Sequence, residues 1–514
     1  MRKFICSGLL GVMALLTGCA TIDFDYPRTE SVTIENTEET RLGKRVAELS
    51  AVHPESTSGF YPLVDGIEAL SARLLLAERA EVSVDTQYYL VKTDDSSLVF
   101  IHALLRAADR GVRVRLLIDD VFTKGYDVGL AALDSHPNFE VRIFNPFRRG
   151  AGGRVWSGLT DLGRVNRRMH TKSFTVDNQV TIVGGRNIAD EYFGARADAR
   201  FGDLDVVSIG PVADEVSRMF DSFWNHETAL PVPAFLKMPD DPAAELDRLR
   251  ERLSELTEAA RDTKYGAAME ETMLRFMDRG PEAFEWTPYK LVYDSPDKGI
   301  RSREGPSVSI VEPLAEALQS AEEKVVVVSP YFVPLKSGVE FLTELQARGV
   351  EVVIVTNSLA ANNQITVHGG YAPSRKPLLG NGIRIYEVRP DAEIAGSEIV
   401  AASGAKSTLH TKAFFVDGKL TFIGSFNFDP RSANLNTESG VLIESEKMTR
   451  MFMQGVDEGI PEKTYELFLD EKGKLRWRGY KDGEEVIYTK EPESTWFQRF
   501  VAGFVRILPV KSQL

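Results

Sequence analysis

Two stretches of this 514-residue chain carry the same reactive side chains at the same intervals. HTKSFTVDNQVTIVGGRN begins at His170 and HTKAFFVDGKLTFIGSFN begins at His410, and they share His, Thr, Lys, Phe, Val, Asp, Thr, Gly and Asn in one register. An imidazole can act as nucleophile or carry a proton, while an ammonium and a carboxamide can steady developing negative charge. His170 and Lys172, like His410 and Lys412, stand two residues apart among neighbours that suit a strand, so each pair points to one face. Asp177 and Asp417 precede Asn178 and Gly418 at a turn, where an aspartate bonds backbone N–H groups; both read as structural. A strand returning antiparallel brings Asn187 back beside His170 and Asn427 beside His410, with Gly184 and Gly424 permitting close approach. Facing each other across an approximate two-fold axis, two such sets suit a phosphodiester. Lysines and asparagines hold the oxygens, one imidazole attacks phosphorus and the other protonates the leaving oxygen.

The elements that must position these residues are duplicated too. VSVDTQYYL (82–90) and VVVVSPYFVP (325–334) are β-branched runs ending near an aromatic pair. Each is followed by a helical pattern, SSLVFIHALLRAADRG and SGVEFLTELQARG, closed by glycine. Then come the buried strands VRVRLLIDD and VEVVIVTNS, next FEVRIFNPF and GIRIYEV, and last the two His segments. The pattern predicts an α/β protein of two homologous halves with largely parallel or mixed sheets covered by helices. Between them PDDPAAELDRLRERLSELTEAARDT, with leucines at 246, 249, 253 and 256, reads as a surface helix linking the halves.

Composition narrows the function classes. With 43% hydrophobic and 26% charged residues and a formal net charge of −14, the chain is globular and poorly suited to coating nucleic acid, which is not expected as a partner. Arg148, Arg149, Arg154, Arg164, Arg167 and Arg168 still form a local basic cluster that could meet phosphate. The two cysteines, Cys6 and Cys19, lie in the first twenty residues, so the body holds neither a disulfide framework nor a cysteine zinc site, and no metal or cofactor is expected. MRKFICSGLLGVMALLTGCA has the basic start, apolar run and small-residue end of a secretory signal. Leu16-Thr17-Gly18-Cys19 resembles a bacterial lipobox, which implies cleavage before a lipidated Cys19. Ala20 in place of Asp implies, by resemblance to sorted lipoproteins, the periplasmic leaflet of the outer membrane over the inner membrane.

The duplicated motif, His170, Lys172, Asp177, Gly184 and Asn187 with His410, Lys412, Asp417, Gly424 and Asn427, resembles the signature of the phospholipase D superfamily over residues 61–460. The resemblance implies two phospholipase D-like α/β halves packed about a pseudo-two-fold axis with the active site between them, and metal-free chemistry through a covalent phosphohistidine. It implies His170 as nucleophile and His410 as acid and then base, although pseudo-symmetry leaves the assignment open. It further implies a downstream acid that holds each imidazole, matched by Asp203 and Glu438, with Asp205 the alternative in the first half. A bilayer anchor favours phospholipid as the phosphodiester. The C-terminal segment STWFQRFVAGFVRILPVKSQL points the same way, with Trp496, Phe497, Phe500, Val501, Phe504, Val505 and Leu508 spaced as one face of an interfacial helix and Arg499, Arg506 and Lys511 among or beyond them. Together these features resemble the C-type bacterial cardiolipin synthases, implying a phosphatidyltransferase that makes cardiolipin from two phospholipids. Alternatives are a phospholipase D that hydrolyses head groups and, of another class, a catalytically silent envelope lipoprotein. The expected organisation is a lipoprotein signal (1–18), a polar tether (19–60), the first half (61–229), a helical linker (230–300), the second half (301–460) and a C-terminal hairpin with an amphipathic helix (461–514). Helper proteins and oligomeric state are left open.

Overall fold

A computed structural model describes residues 22–513 apart from 151, 197, 278–279, 301–307, 394–405, 482 and 507–512. The signal segment and Cys19 lie outside the described residues.

Each half is built on one mixed sheet. The first runs, edge to edge, Glu285–Thr287, Ser58–Leu63, Asp205–Ile209, Val180–Gly184, Ser173–Val176, Ser83–Tyr88, Arg113–Asp119, Phe139–Phe144, Ala229–Pro231. The second runs Tyr289–Tyr293, Ser439–Glu444, Leu420–Gly424, Ala413–Val416, Lys324–Val328, Glu351–Asn357, Arg384–Val388, then Thr464–Leu469, Leu475–Lys481 and Glu484–Tyr488. Within each sheet the strand after the first repeated run is parallel to it, as is the next, whereas the two strands of the His motif pair antiparallel. The repeat read from the sequence is thus a repeat of strand order.

Apolar residues fill three layers. One core lies between the first sheet and helices including Gly66–Arg79 and Asp95–Asp109, and another between the second sheet and helices including Leu335–Ala347. The third joins the halves: Phe60, Leu117, Phe144 and Val206 of one sheet and Val326, Val353, Phe415 and Val441 of the other share a cluster with Phe220 and Trp224 of helix Pro211–Trp224. Burial on both faces explains why the strands read as continuous β-branched runs rather than alternating ones.

Three expectations about the flanking segments change. Residues 22–50, expected within a free polar tether, lie on the first half. Asp23 N–H bonds Ala234 O, Ser31 and Thr33 N–H groups bond Asn225 and Asp221, and helix Arg41–Ser50 is capped by Thr40 and buries Val46 and Leu49. The segment docks through both hydrogen bonds and apolar contacts, with Phe24, Tyr26 and Leu42 also packed against the core. The linker is more than helix. Pro242–Arg261, capped by Asp241, buries Leu246 and Leu253 on the first half, but Glu285–Thr287 and Tyr289–Tyr293 then add an edge strand to each sheet in turn. After residue 461 three strands, not an isolated hairpin, extend the second sheet.

Candidate active site

The two His segments meet at the junction of the sheets. His170 and Lys172 stand on the extended lead-in to strand Ser173–Val176, and His410 and Lys412 on the lead-in to Ala413–Val416, one step outside the strands where the sequence had put them. The reason is that these residues pair with the opposite half. His170 N–H bonds Thr437 O at 2.9 Å, and Thr437 N–H returns a bond to Arg168 O. His410 N–H bonds Gly202 O at 2.7 Å, continuing a short parallel pairing of Lys406–Leu409 with Ala199–Gly202.

The side chains cross in the same way. His170 Nδ1 lies 2.7 Å from Glu438 Oε2, and His410 Nδ1 lies 2.5 Å from Asp203 Oδ2. Each imidazole is therefore held by the acid of the other half. Glu438 also accepts from Ser425 Oγ at 2.5 Å and Ser432 Oγ at 2.8 Å, and Asp203 accepts from the Leu204 N–H at 2.9 Å. Asp205 is not an alternative: its carboxylate is taken by Arg73 at 2.7 Å and by the Arg186 N–H.

Glycines make room for this. A Cβ on Gly185 would sit 2.2 Å from Asp203 Oδ1, and one on Gly424 would sit 2.4 Å from Ser439 O. The motif aspartates lie at turns with φ of 51° and 52°. Asp177 accepts from the N–H groups of Glu81, Val82 and Ser83, and Asp417 from those of Glu322, Glu323 and Lys324, so each ties the His hairpin to the start of the neighbouring strand.

All four motif cations and imidazoles are buried. Burial pushes His170 down to about 4 and His410 to about 3, against the pull of their carboxylates, and pushes Lys172 to about 7 and Lys412 to about 8. Burial alone would raise Asp203 and Glu438, but the imidazole and lysine beside each outweigh it and hold both below the ordinary carboxylate range. Burial thus favours the neutral form of both imidazoles, each with Nδ1 beside a carboxylate, and disfavours the charged form of both lysines. Lys412 Nζ lies 3.0 Å from His410 Nε2, and Lys172 Nζ bonds His170 O. Asn187 Nδ2 donates to Tyr192 OH at 2.9 Å, while Oδ1 of both Asn187 and Asn427 is buried without a partner among the described residues.

Sequence reasoning missed several neighbours. Tyr89 packs edge-on to His170 at 4.9 Å; Tyr192, Phe201 and Tyr331 surround His410 at 5.0, 5.5 and 6.3 Å. Tyr89 and Tyr331 belong to the aromatic pairs near the ends of the repeated strands Ser83–Tyr88 and Lys324–Val328, a signal the sequence shows only as strand composition. Asp119 was also missed: it accepts from the Met169 N–H at 2.9 Å and from Arg168, fixing the approach to His170.

The basic cluster serves the scaffold. Arg149 and Arg154 pair with Asp120, Arg164 with Asp161 and Arg168 with Asp119, while Arg167 donates to Lys298 O. Carboxylates of the same half thus pair with charge that could have met a phosphate. Among the described residues no group of three His, Cys, Asp or Glu side chains is arranged to hold a metal ion, and no helix is long and apolar enough to cross a membrane.

A duplicated α/β half that delivers a histidine, a lysine and an asparagine to a shared centre is the arrangement of the phospholipase D superfamily, and this chain belongs to it. The family described as "Cardiolipin synthase, PLD-like domain" matches it twice, at residues 75–224 and 314–458. The chain is similar to cardiolipin synthase C of Escherichia coli K12, 41% identical over 476 residues that cover 92% of this chain and 99% of that protein. It is also similar to an uncharacterized protein of Helicobacter pylori 26695, 31% identical over 502 residues and 96% of each chain. The crystal structure of phosphatidylserine synthase from Haemophilus influenzae Rd KW20 shares the fold, with a TM-score of 0.57 at 13% identity over 92% of this chain and 99% of that one.

Proposed function

We propose that the protein is a phosphatidyltransferase that makes cardiolipin from two phospholipids. The observation that carries this reading is the pair of crossed contacts, His170 with Glu438 and His410 with Asp203, in a chain that aligns along nearly all of a cardiolipin synthase. His170, its Nδ1 proton held by Glu438, attacks phosphorus through Nε2; the P–O bond to the head-group alcohol breaks, and His410 supplies the proton that alcohol takes. Burial and Lys412 keep His410 neutral, and a phosphodiester anion placed between the lysines adds the negative charge that favours its protonation. His410 then removes the proton from the hydroxyl of a second phospholipid, whose oxygen displaces His170 from phosphorus. Lys172, Lys412, Asn187 and Asn427 steady the oxygens. Hydrolysis differs only in the acceptor, water.

The location proposed with this activity is the bacterial envelope: a lipoprotein anchored through Cys19 at the periplasmic face, on the outer membrane. Helix Trp496–Val505 supports a bilayer surface. It docks through Ala502 and Val505 against Gly369, where a Cβ would come within 2.8 Å of Ala502 O, and turns Trp496, Phe497, Phe500 and Phe504 outward. Those four are 52 to 71% exposed. A helix can thus pack on the protein and still present aromatics to lipid.

The test is product analysis. Purified protein given phosphatidylglycerol alone, phosphatidylethanolamine alone or their mixture should form cardiolipin and release the matching head-group alcohol. Phosphatidic acid as the main product would replace the transferase with a hydrolase, and no turnover of any phospholipid would leave a silent lipoprotein.

A further inference from the structure

The first half carries a second exposed apolar surface. In helix Gly153–Thr160 and the short helix Leu162–Val165 after it, Val155, Leu159 and Leu162 are 68, 76 and 62% exposed, with Trp156 beside them at 37%. Val155 and Leu159 stand four apart on one face of Gly153–Thr160, and Leu162 opens the next helix just past the break at Asp161. A contiguous group of large apolar side chains left in water is uncommon on a monomeric protein and marks a contact surface.

Two observations identify what it contacts. This surface belongs to the approach to the centre: Arg154 of the same helix donates to Val121 O at 3.0 Å, the next residue Phe122 is 44% exposed, and its ring lies 5.5 Å from Tyr89, which packs on His170. It is also tied to the chain end that follows the exposed aromatic helix in sequence. Asn166, the residue after Leu162–Val165, donates through Nδ2 to Gln513 Oε1 at 2.7 Å, and Arg431 donates to Gln513 O.

We infer that Gly153–Thr160 is a second membrane-contact element, which seats Val155, Leu159 and Trp156 among the acyl chains and, with the C-terminal helix, turns the active-site approach to the bilayer. The inference rests on the proposed phospholipid substrate for its choice of occupant. A tryptophan beside aliphatic side chains suits the boundary of head groups and chains. The arginines of the segment, committed to Asp120 and Asp161, are not needed as the attracting charge.

The experiment reads depth rather than turnover. Full-length protein is reconstituted into phosphatidylglycerol and phosphatidylethanolamine vesicles with or without brominated acyl chains, which quench tryptophan on contact. W496F removes the other strongly exposed tryptophan. On brominated vesicles W496F is expected to lose emission that the W156F/W496F protein does not have to lose, and the His170→Ala protein is expected to show the same quenching without turnover. A V155S/L159S variant with an unchanged melt should transfer poorly on vesicles and normally on a short-chain soluble phospholipid. Equal quenching of W496F and W156F/W496F would overturn the inference. So would concentration-dependent self-association in vesicle-free detergent solution that Leu159→Glu abolishes, since the surface would then hold a second copy of the chain. Absence of lipid products with Trp156 quenching intact would instead fault the proposed activity and leave the membrane contact standing.

Discussion

Asp177 and Asp417 occupy the same place in the two copies of the motif, yet they should not matter equally. Asp177 is fully buried and holds three backbone N–H groups, at 2.8 Å (Val82), 2.9 Å (Ser83) and 3.1 Å (Glu81), of which that of Ser83 has no access to water. Asp417 holds three at 2.8 to 2.9 Å, but they belong to Glu322, Glu323 and Lys324 at a partly open edge, where water can replace it. Alanine at either position incurs the same penalty for its left-handed backbone, near +50°, so that term cancels in the comparison. What remains is the orphaning of a buried donor, about 1–3 kcal/mol. At roughly 2–4 °C per kcal/mol for a unit of 150–250 residues, Asp177→Ala should melt about 2–12 °C below Asp417→Ala. Differential scanning fluorimetry of both variants measures this, with the asparagine variants as controls that tolerate the backbone. Equal shifts, or a lower melt for Asp417→Ala, would refute the claim that burial of the donors sets the cost. An Asp177→Ala protein with a normal melt and no turnover would refute a structural role altogether.

Three further outcomes are expected. His170→Ala and His410→Ala should each abolish phosphatidyl transfer with little change in melt, and the double variant should be hardly slower than either, because the two act as a unit; a sizeable residual rate in one single variant would count against the phosphohistidine route. His170 is held to about 4 and His410 to about 3 against an ordinary 6.5, so the unfolded chain binds protons first and these residues lower stability as pH falls from about 6.5 towards 4; denaturation between pH 4 and 8 should show a shallower slope in His170→Gln and His410→Gln, and an unchanged slope would mean charged imidazoles in the fold. Replacing Trp496, Phe500 and Phe504 with serine should depress transfer on vesicles much more than on a short-chain soluble phospholipid, since burying three such side chains in lipid is worth several kcal/mol at about 1.5–3 each; equal losses with a lower melt would mean the helix only braces the protein.

Much of this architecture was legible because it is written twice. A lone histidine near a strand says little, but His170 and His410 with matching Lys, Asp, Gly and Asn predict two halves, and the order of strands follows from the repeated runs around them. What could not be read was anything that depends on the opposite half. No spacing rule says that Glu438 answers to His170 and Asp203 to His410, or that the lead-in strands pair with residues 437 and 202. The partners of the Arg148–Arg168 cluster were hidden for a different reason: Asp119 and Asp120 belong to the same half but come from a strand end some thirty to fifty residues earlier. Segment 22–50 reads as a tether because its one apolar period, Leu42, Val46 and Leu49, is short and set among charged residues, while the rest docks by backbone hydrogen bonds.

The crossed histidine contacts also bear on when such a site comes into being. As the chain emerges in order, a finished first half would present His170 with no carboxylate for its Nδ1, because Glu438 lies in the part still to be made. The second half alone would carry His410 in the same condition, its anion left behind at Asp203. Competence arrives only when the junction closes, so a reactive centre is withheld from every incomplete molecule. The same dependence binds the two copies as lineages: neither can drift at its acid without disabling the other's imidazole, and a duplication that began as two equal units is thereby fastened into one.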